Sequence, residues 1–189
     1  MQIPTPNAHK EWAKHMRALV GGHCKVTTYH DETESHQAYI FESETPEGIV
    51  AATVGLMEFD QRTHQNFSVN TEIIMDKRGF DPRVSSVLSA IAFYVMKNGW
   101  KVAPGVVFES IVQMYFPETK LPHILFTSPY QWKGMSKVQL SDITIYPLLA
   151  IPVSEAESNL AMLNKGMALE NVWAEESVDV LDWNRISSV

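Results

Sequence analysis

Seven histidines, one cysteine and a C-terminal concentration of acids are the groups of this 189-residue chain from which a site could be built. A metal centre wants His, Cys, Asp or Glu at helical i, i+4 spacing or alternating along one strand. His9, His15, His23, His30, His36, His64 and His123 are not so arranged. His30, Asp31, Glu32 and His36 come nearest, but they fall in an expected turn without ligand periodicity. A solvated hairpin is expected there, and no metal. His23 and Cys24 cannot act as base and nucleophile together, because neighbours on a strand point to opposite faces. The chain has no G-x-S-x-G elbow, no G-x-x-x-x-G-K-[ST] loop and no G-x-G-x-x-G turn. Gly21-Gly22 precedes a strand instead of opening a helix, so it cannot present amides to a phosphate. Asp76-Lys77-Arg78 and Asp81 read as a loop and a helix cap. No catalytic residue and no cofactor is expected.

Binding chemistry is better represented. Tyr130, Trp132 and Lys133, with Lys137 four residues on, form the one cluster that interleaves aromatics with cations. Against a net charge of -7 this is too little basic charge to hold a phosphate backbone, so no direct nucleic-acid binding is expected. A partner-facing or half-buried loop is the expected role. Between residues 155 and 182 stand Glu155, Glu157, Glu170, Glu175, Glu176, Asp179 and Asp182, seven acids against the single base Lys165. Such a face either keeps the protein in solution or meets a basic partner and steers its approach. Glu155 and Glu157 have a capping role to fill. The candidate partner-binding residues are therefore Glu170, Glu175, Glu176, Asp179 and Asp182, with Tyr130 and Trp132 as the other place to look. Arg185 is the base nearest Asp179 and Asp182 in sequence, and is expected to pair there and pin the terminus.

The elements that must position these groups follow from periodicity. Trp12, His15, Met16, Leu19 and Val20 recur at helical steps between a cap at Asn7 and the stop Gly21-Gly22. Segments 24–30, 37–42, 49–56 and 67–75 have strand chemistry and short turns, an antiparallel meander. Asp81 and Pro82 open a largely apolar helix that ends at Asn98-Gly99. Residues 123–127 are a strand, and the apolar run 143–153 reads as one buried strand with Pro147 at a bulge or edge. Ser154 and Glu157 have capping-box spacing for a helix through Lys165, and a short helix over 168–175 follows Gly166. Residues 1–6 read as an extended lead-in. With 45% hydrophobic and 20% charged residues the chain can bury roughly 70% of its unfolded surface, without disulfide or metal staples. No run approaches the ~20 apolar residues that cross a bilayer, and the first residues lack the apolar stretch of a signal peptide. A soluble, cytoplasmic protein of one domain (1–189) is expected, away from membranes.

From Ile143 onward the chain resembles the suppressor of fused-like domain family, in its small bacterial branch. The resemblance is carried by an apolar strand ending in a proline (LLAIPV, through Pro152), Ser154-Glu155 with Glu157, the break at Gly166, the helix to Trp173, and the closing VDVLDWNRISSV with Asp182, Arg185 and Ser187-Ser188. The earlier part agrees more loosely, through a first helix ending in glycines and a meander that includes IVAATVGL. The resemblance implies an α+β fold, a largely antiparallel or mixed sheet with helices packed against it. It also implies an immunity protein that neutralises a polymorphic toxin domain, often a nuclease, by stoichiometric binding. An intracellular regulatory module on the same scaffold is the alternative. A small hydrolase or small-molecule binder stands third.

Overall fold

The computed structural model describes residues 6–61 and 69–189, and its centre is one seven-stranded sheet. In chain order the elements are α1 (Asn7–Val20), β1 (His23–His30), β2 (Gln37–Glu44), β3 (Gly48–Val54), β4 (Ile73–Arg78), α2 (Arg83–Asn98), β5 (Val107–Phe108), β6 (His123–Thr127), β7 (Val138–Gln139), β8 (Thr144–Ile145), β9 (Leu148–Val153), α3 (Glu155–Leu163) and α4 (Met167–Glu175). The sheet order is β1-β2-β3-β4-β9-β6-β5, with β7 and β8 a separate two-stranded ribbon. All pairs in the sheet are antiparallel except β4 with β9. This is the expected α+β class with a mixed sheet.

Alternation along the strands sorts the core into two layers. Ile40, Ala51, Ile73, Met75, Phe126 and Ala150 face α2, while Phe41, Ala52, Ile74, Leu125, Leu149 and Ile151 face α1, α3 and α4. α1 packs through Trp12 and Met16, both wholly buried, and the Trp12 indole donates to the Thr53 carbonyl at 2.7 Å. Beside it Glu72 is fully buried and accepts from the Gly55 and Met57 amides at 2.7 and 3.1 Å and from the Thr53 hydroxyl. Burial pushes its carboxyl up to about 8, against the pull of those donors. Gly55 is required here: its φ is +100°, and a Cβ would lie 2.6 Å from the His9 ring.

The meander, α2, β6 and both C-terminal helices stand near where periodicity put them, and the differences have physical causes. Asn7 does not cap α1; it is the first helical residue after Pro6, and its amide donates to Glu11 at 2.6 Å. The fourth strand begins at Ile73, six residues later than its chemistry suggested; Phe67 and Ser68, His64 and the lead-in 1–5 lie outside the described residues. Asp76-Lys77-Arg78 is therefore the end of β4 and not a loop. The run 143–153 is two strands divided at Tyr146-Pro147, since proline cannot continue a ladder. Pro152 sits inside β9, opposite Ile124 of β6. Its nitrogen points away from β6, as its carbonyl does, toward the side where β4 no longer pairs, so no ladder bond is forfeited. Asp31 is not solvated: it is 7% exposed, ion-paired to Lys97 at 2.9 Å and bonded by the Ser35 and His36 amides at 2.8 and 3.1 Å. Lys97 and the His36 amide hold its carboxyl well below the usual range.

An acidic cleft where the tail meets the sheet

β4 and β9 run parallel but pair only through Ile73–Leu148 and Ile74–Leu149. Beyond that they part, and residues 178–188 fill the wedge. The Arg78 amide donates to the Leu181 carbonyl at 3.0 Å, the Trp183 indole to the Asp76 carbonyl at 3.1 Å, and the Arg185 guanidinium to the Pro152 carbonyl at 3.0 Å.

Arg185 holds this tail, although not by the expected acids. Its partner is Glu157, which is fully buried and receives Nη1 at 2.6 Å and Nη2 at 3.0 Å. Glu157 also closes the capping box of α3 with Ser154, and accepts the Ser188 amide and hydroxyl at 3.1 and 2.7 Å. Burial pushes its carboxyl up, but Arg185, Ser154 and Ser188 outweigh that and hold it below its ordinary value. Asp179 is exposed and ion-pairs instead with Arg78, while Asp182 accepts the Asn184 amide at 2.9 Å within its own turn.

Above the tail the loop after β6 brings the other candidates in. Tyr130 is 59% exposed, and burial together with the Glu170 and Asp179 carboxylates pushes its hydroxyl above the ordinary value. Glu170 is half-buried on α4 and takes the Thr127 hydroxyl. Trp132 is half-buried over a cleft of about 280 Å³, lined also by Leu19, Val20, Val50, Asp76, Arg78 and Leu181, with Thr45, Pro46 and Glu47 of the β2–β3 turn. That turn lies tight against β4 because Gly48 permits it: a Cβ there would be 1.9 Å from the Lys77 carbonyl. Asp76 accepts the Gln131 side-chain amide at 3.1 Å. Burial, reinforced by Glu47, pushes its carboxyl up to about 6.

Tyr130 and Trp132 thus share one surface with Glu170 and Asp179, where sequence had offered them as alternatives. Glu175 and Glu176 are exposed at the C-terminal end of α4, and no ion pair joins them among the described residues. Two acids at a helix C-terminus work against the helix dipole, by about 0.3–1 kcal/mol each. Asp76, Glu47 and Gln131 were missed. The alternation Ile74, Met75, Asp76 carried the signal, since it puts Asp76 on the same face as buried Ile74. Among the described residues no group of three or more His, Cys, Asp or Glu could hold a metal ion, and no helix is long and apolar enough to cross a membrane.

The profile of the suppressor of fused protein (SUFU) family matches residues 32–186. The chain belongs to the suppressor of fused family. It is 29% identical to a Bacillus subtilis (strain 168) protein named Immunity protein YqcF, over 96% of this chain and 97% of that one. Its fold is that of a SUFU homolog from Neisseria gonorrhoeae, with TM-score 0.72 and 17% identity over 97% of both chains. It is similar also to a chain of a Sufu–Fu complex, with TM-score 0.69 and 12% identity over 98% of this chain and 93% of that one. Drosophila Suppressor of Fused superposes with TM-score 0.61 at 13% identity, and this chain spans 51% of it. At these identities the solved structures speak for the fold alone.

Proposed function

We propose that this family member is a cytoplasmic immunity protein, a stoichiometric binder that neutralises a cognate toxin domain of basic surface, such as a nuclease, without catalysis. The observation that carries this reading is the gathering of Glu47, Asp76, Glu170 and Asp179 with exposed Tyr130 and half-buried Trp132 on one face. Interfaces are enriched in such aromatics, and acids around them steer a cationic partner. The name of the Bacillus relative supports the same reading. A nuclease holds its substrate through cationic groups, so an acidic binder on them excludes nucleic acid by occupying its place.

The test is co-expression with the toxin encoded beside this chain, together with association kinetics. Glu175→Lys with Glu176→Lys should lower the on-rate and weaken protection. The parent's on-rate should fall with salt as the Debye length shrinks from ~10 Å at 0.1 M to ~3 Å at 1 M. A double variant that protects and associates like the parent would reduce the α4 acids to a solubility device. A parent that binds no adjacent toxin would leave the regulatory module as the better reading.

A further inference from the structure

The cleft under Trp132 is shaped more narrowly than an acidic surface requires. At about 280 Å³ it lies just below the roughly 300–1,000 Å³ of small-molecule sites, and it is too small to seat a helix 10–12 Å across. A single long side chain fits within it. Its walls are apolar through Leu19, Val20, Pro46, Val50, Trp132 and Leu181. Its charges do not cancel. Arg78 is taken by Asp179, which leaves Glu47 and Asp76 with no cation in ion-pair range among the described residues. Asp76 has one side-chain donor, Gln131 Nε2, and the oxygen of that same amide is buried with no donor of its own. Apolar walls with unmatched carboxylates call for a group that is aliphatic along its length and cationic at its tip.

We propose that this cleft is the anchor pocket for a single lysine or arginine side chain of the toxin, its stem against Leu19, Trp132 and Leu181 and its head between Asp76 and Glu47. This rests on the immunity reading and narrows it to one contact. Burial and Glu47 disfavour the Asp76 charge against the pull of Gln131, Arg78 and the Lys77 amide, and an entering cation would add to that pull.

The pocket can be tested without the toxin. The isolated protein is titrated with n-butylguanidinium and, separately, n-butylammonium chloride, following the Trp132 indole and Gln131 side-chain amide signals by NMR. Saturable shifts in the millimolar range are expected at neutral pH, and they should fade as pH drops through about 6 and Asp76 loses its charge. The stronger of the two ions identifies the head group. Asp76→Asn should abolish the shifts, Glu47→Gln on its exposed turn should weaken them, and Glu175→Lys with Glu176→Lys should leave them unchanged. Shifts that never saturate, or that survive Asp76→Asn, overturn the pocket. Against the toxin, Asp76→Asn should raise the off-rate about tenfold or more, or roughly 1.4 kcal/mol of affinity. A parental off-rate in that variant overturns the anchor and leaves the acidic-face reading intact. A parent that binds no toxin overturns the reading, and the pocket then stands or falls on the titration.

Discussion

Glu157 and Asp76 are both carboxylates drawn into the C-terminal side of the fold, and their surroundings differ in kind. Glu157 is given a guanidinium, two serine donors and a backbone cap, and its charge is held. Asp76 is given the neutral Gln131 amide, the Lys77 backbone amide and the more distant charge of Arg78, and burial with the nearby acid Glu47 outweighs them, so its charge is opposed. A buried charge with every acceptor filled ties one part of a fold to another. A charge left short of donors beside an open cleft costs the fold something and is retained for what enters the cleft.

Of the groups around these two carboxylates, Arg185 carries the largest expected effect. Arg185→Ala leaves Glu157 buried without its cation, and a loss of ~3–5 kcal/mol is expected. For a chain of this size that lowers the melting temperature by roughly 10 °C. Lys133→Ala, on the exposed loop beside the cleft, should change stability by under about 0.5 kcal/mol. Equal melting temperatures for the two would remove Glu157 as the anchor of the tail.

Glu72 sharpens the contrast, because it has donors but no cation. Its folded value of about 8 lies above its ordinary 4.5. Its contribution to stability is thus complete below about 4.5 and is lost as pH rises through 8, at ~1.4 kcal/mol per pH unit between. Urea melts should show parental stability falling over that window, and Glu72→Gln should flatten the slope. A slope unchanged by Glu72→Gln would mean that its donors outweigh its burial.

Asp76 gives a smaller effect of the same sign. With a folded value of about 6 against an ordinary 3.8, its stabilisation is present below about 3.8 and lost as pH rises through 6. Asp76→Asn should therefore stabilise the protein by up to ~2–3 kcal/mol at neutral pH, and by almost nothing in acid. A destabilised variant would make Asp76 another Glu157. The least effect on stability belongs to Glu175→Lys with Glu176→Lys. Relief of the helix-end repulsion should leave the melting temperature level or slightly raised while association slows.

Much of this fold could be read from periodicity, because the amphipathic stripe of α1 and the alternating strands each bury a face. The site was harder to read, because its contacts cross the chain. Asp179 and Asp182 are Arg185's neighbours in sequence, yet Asp179 reaches Arg78 and Asp182 bonds its own turn. Glu157 was visible as a cap, but a carboxylate has room for several donors, and nothing local announced the second role. Asp31 looked like a hairpin acid because Lys97, which buries its charge, comes from the far end of α2. Tyr130 and the α4 acids could be placed together only once β6 and β9 were paired.

The pairing of β4 with β9 also bears on when the molecule becomes competent. β9 joins the meander to β6 by matching Ile73 with Leu148, so the closure spans a long stretch of chain and is slow beside the hairpins of β1 to β4. The wedge that receives the tail exists only after this closure, and the cleft needs the tail's Leu181 as a wall. A partly folded chain therefore carries all the acids and no pocket. For a protein proposed to disarm a toxin, the time taken to mature, and not the strength of the finished complex, fixes the earliest moment at which protection can begin.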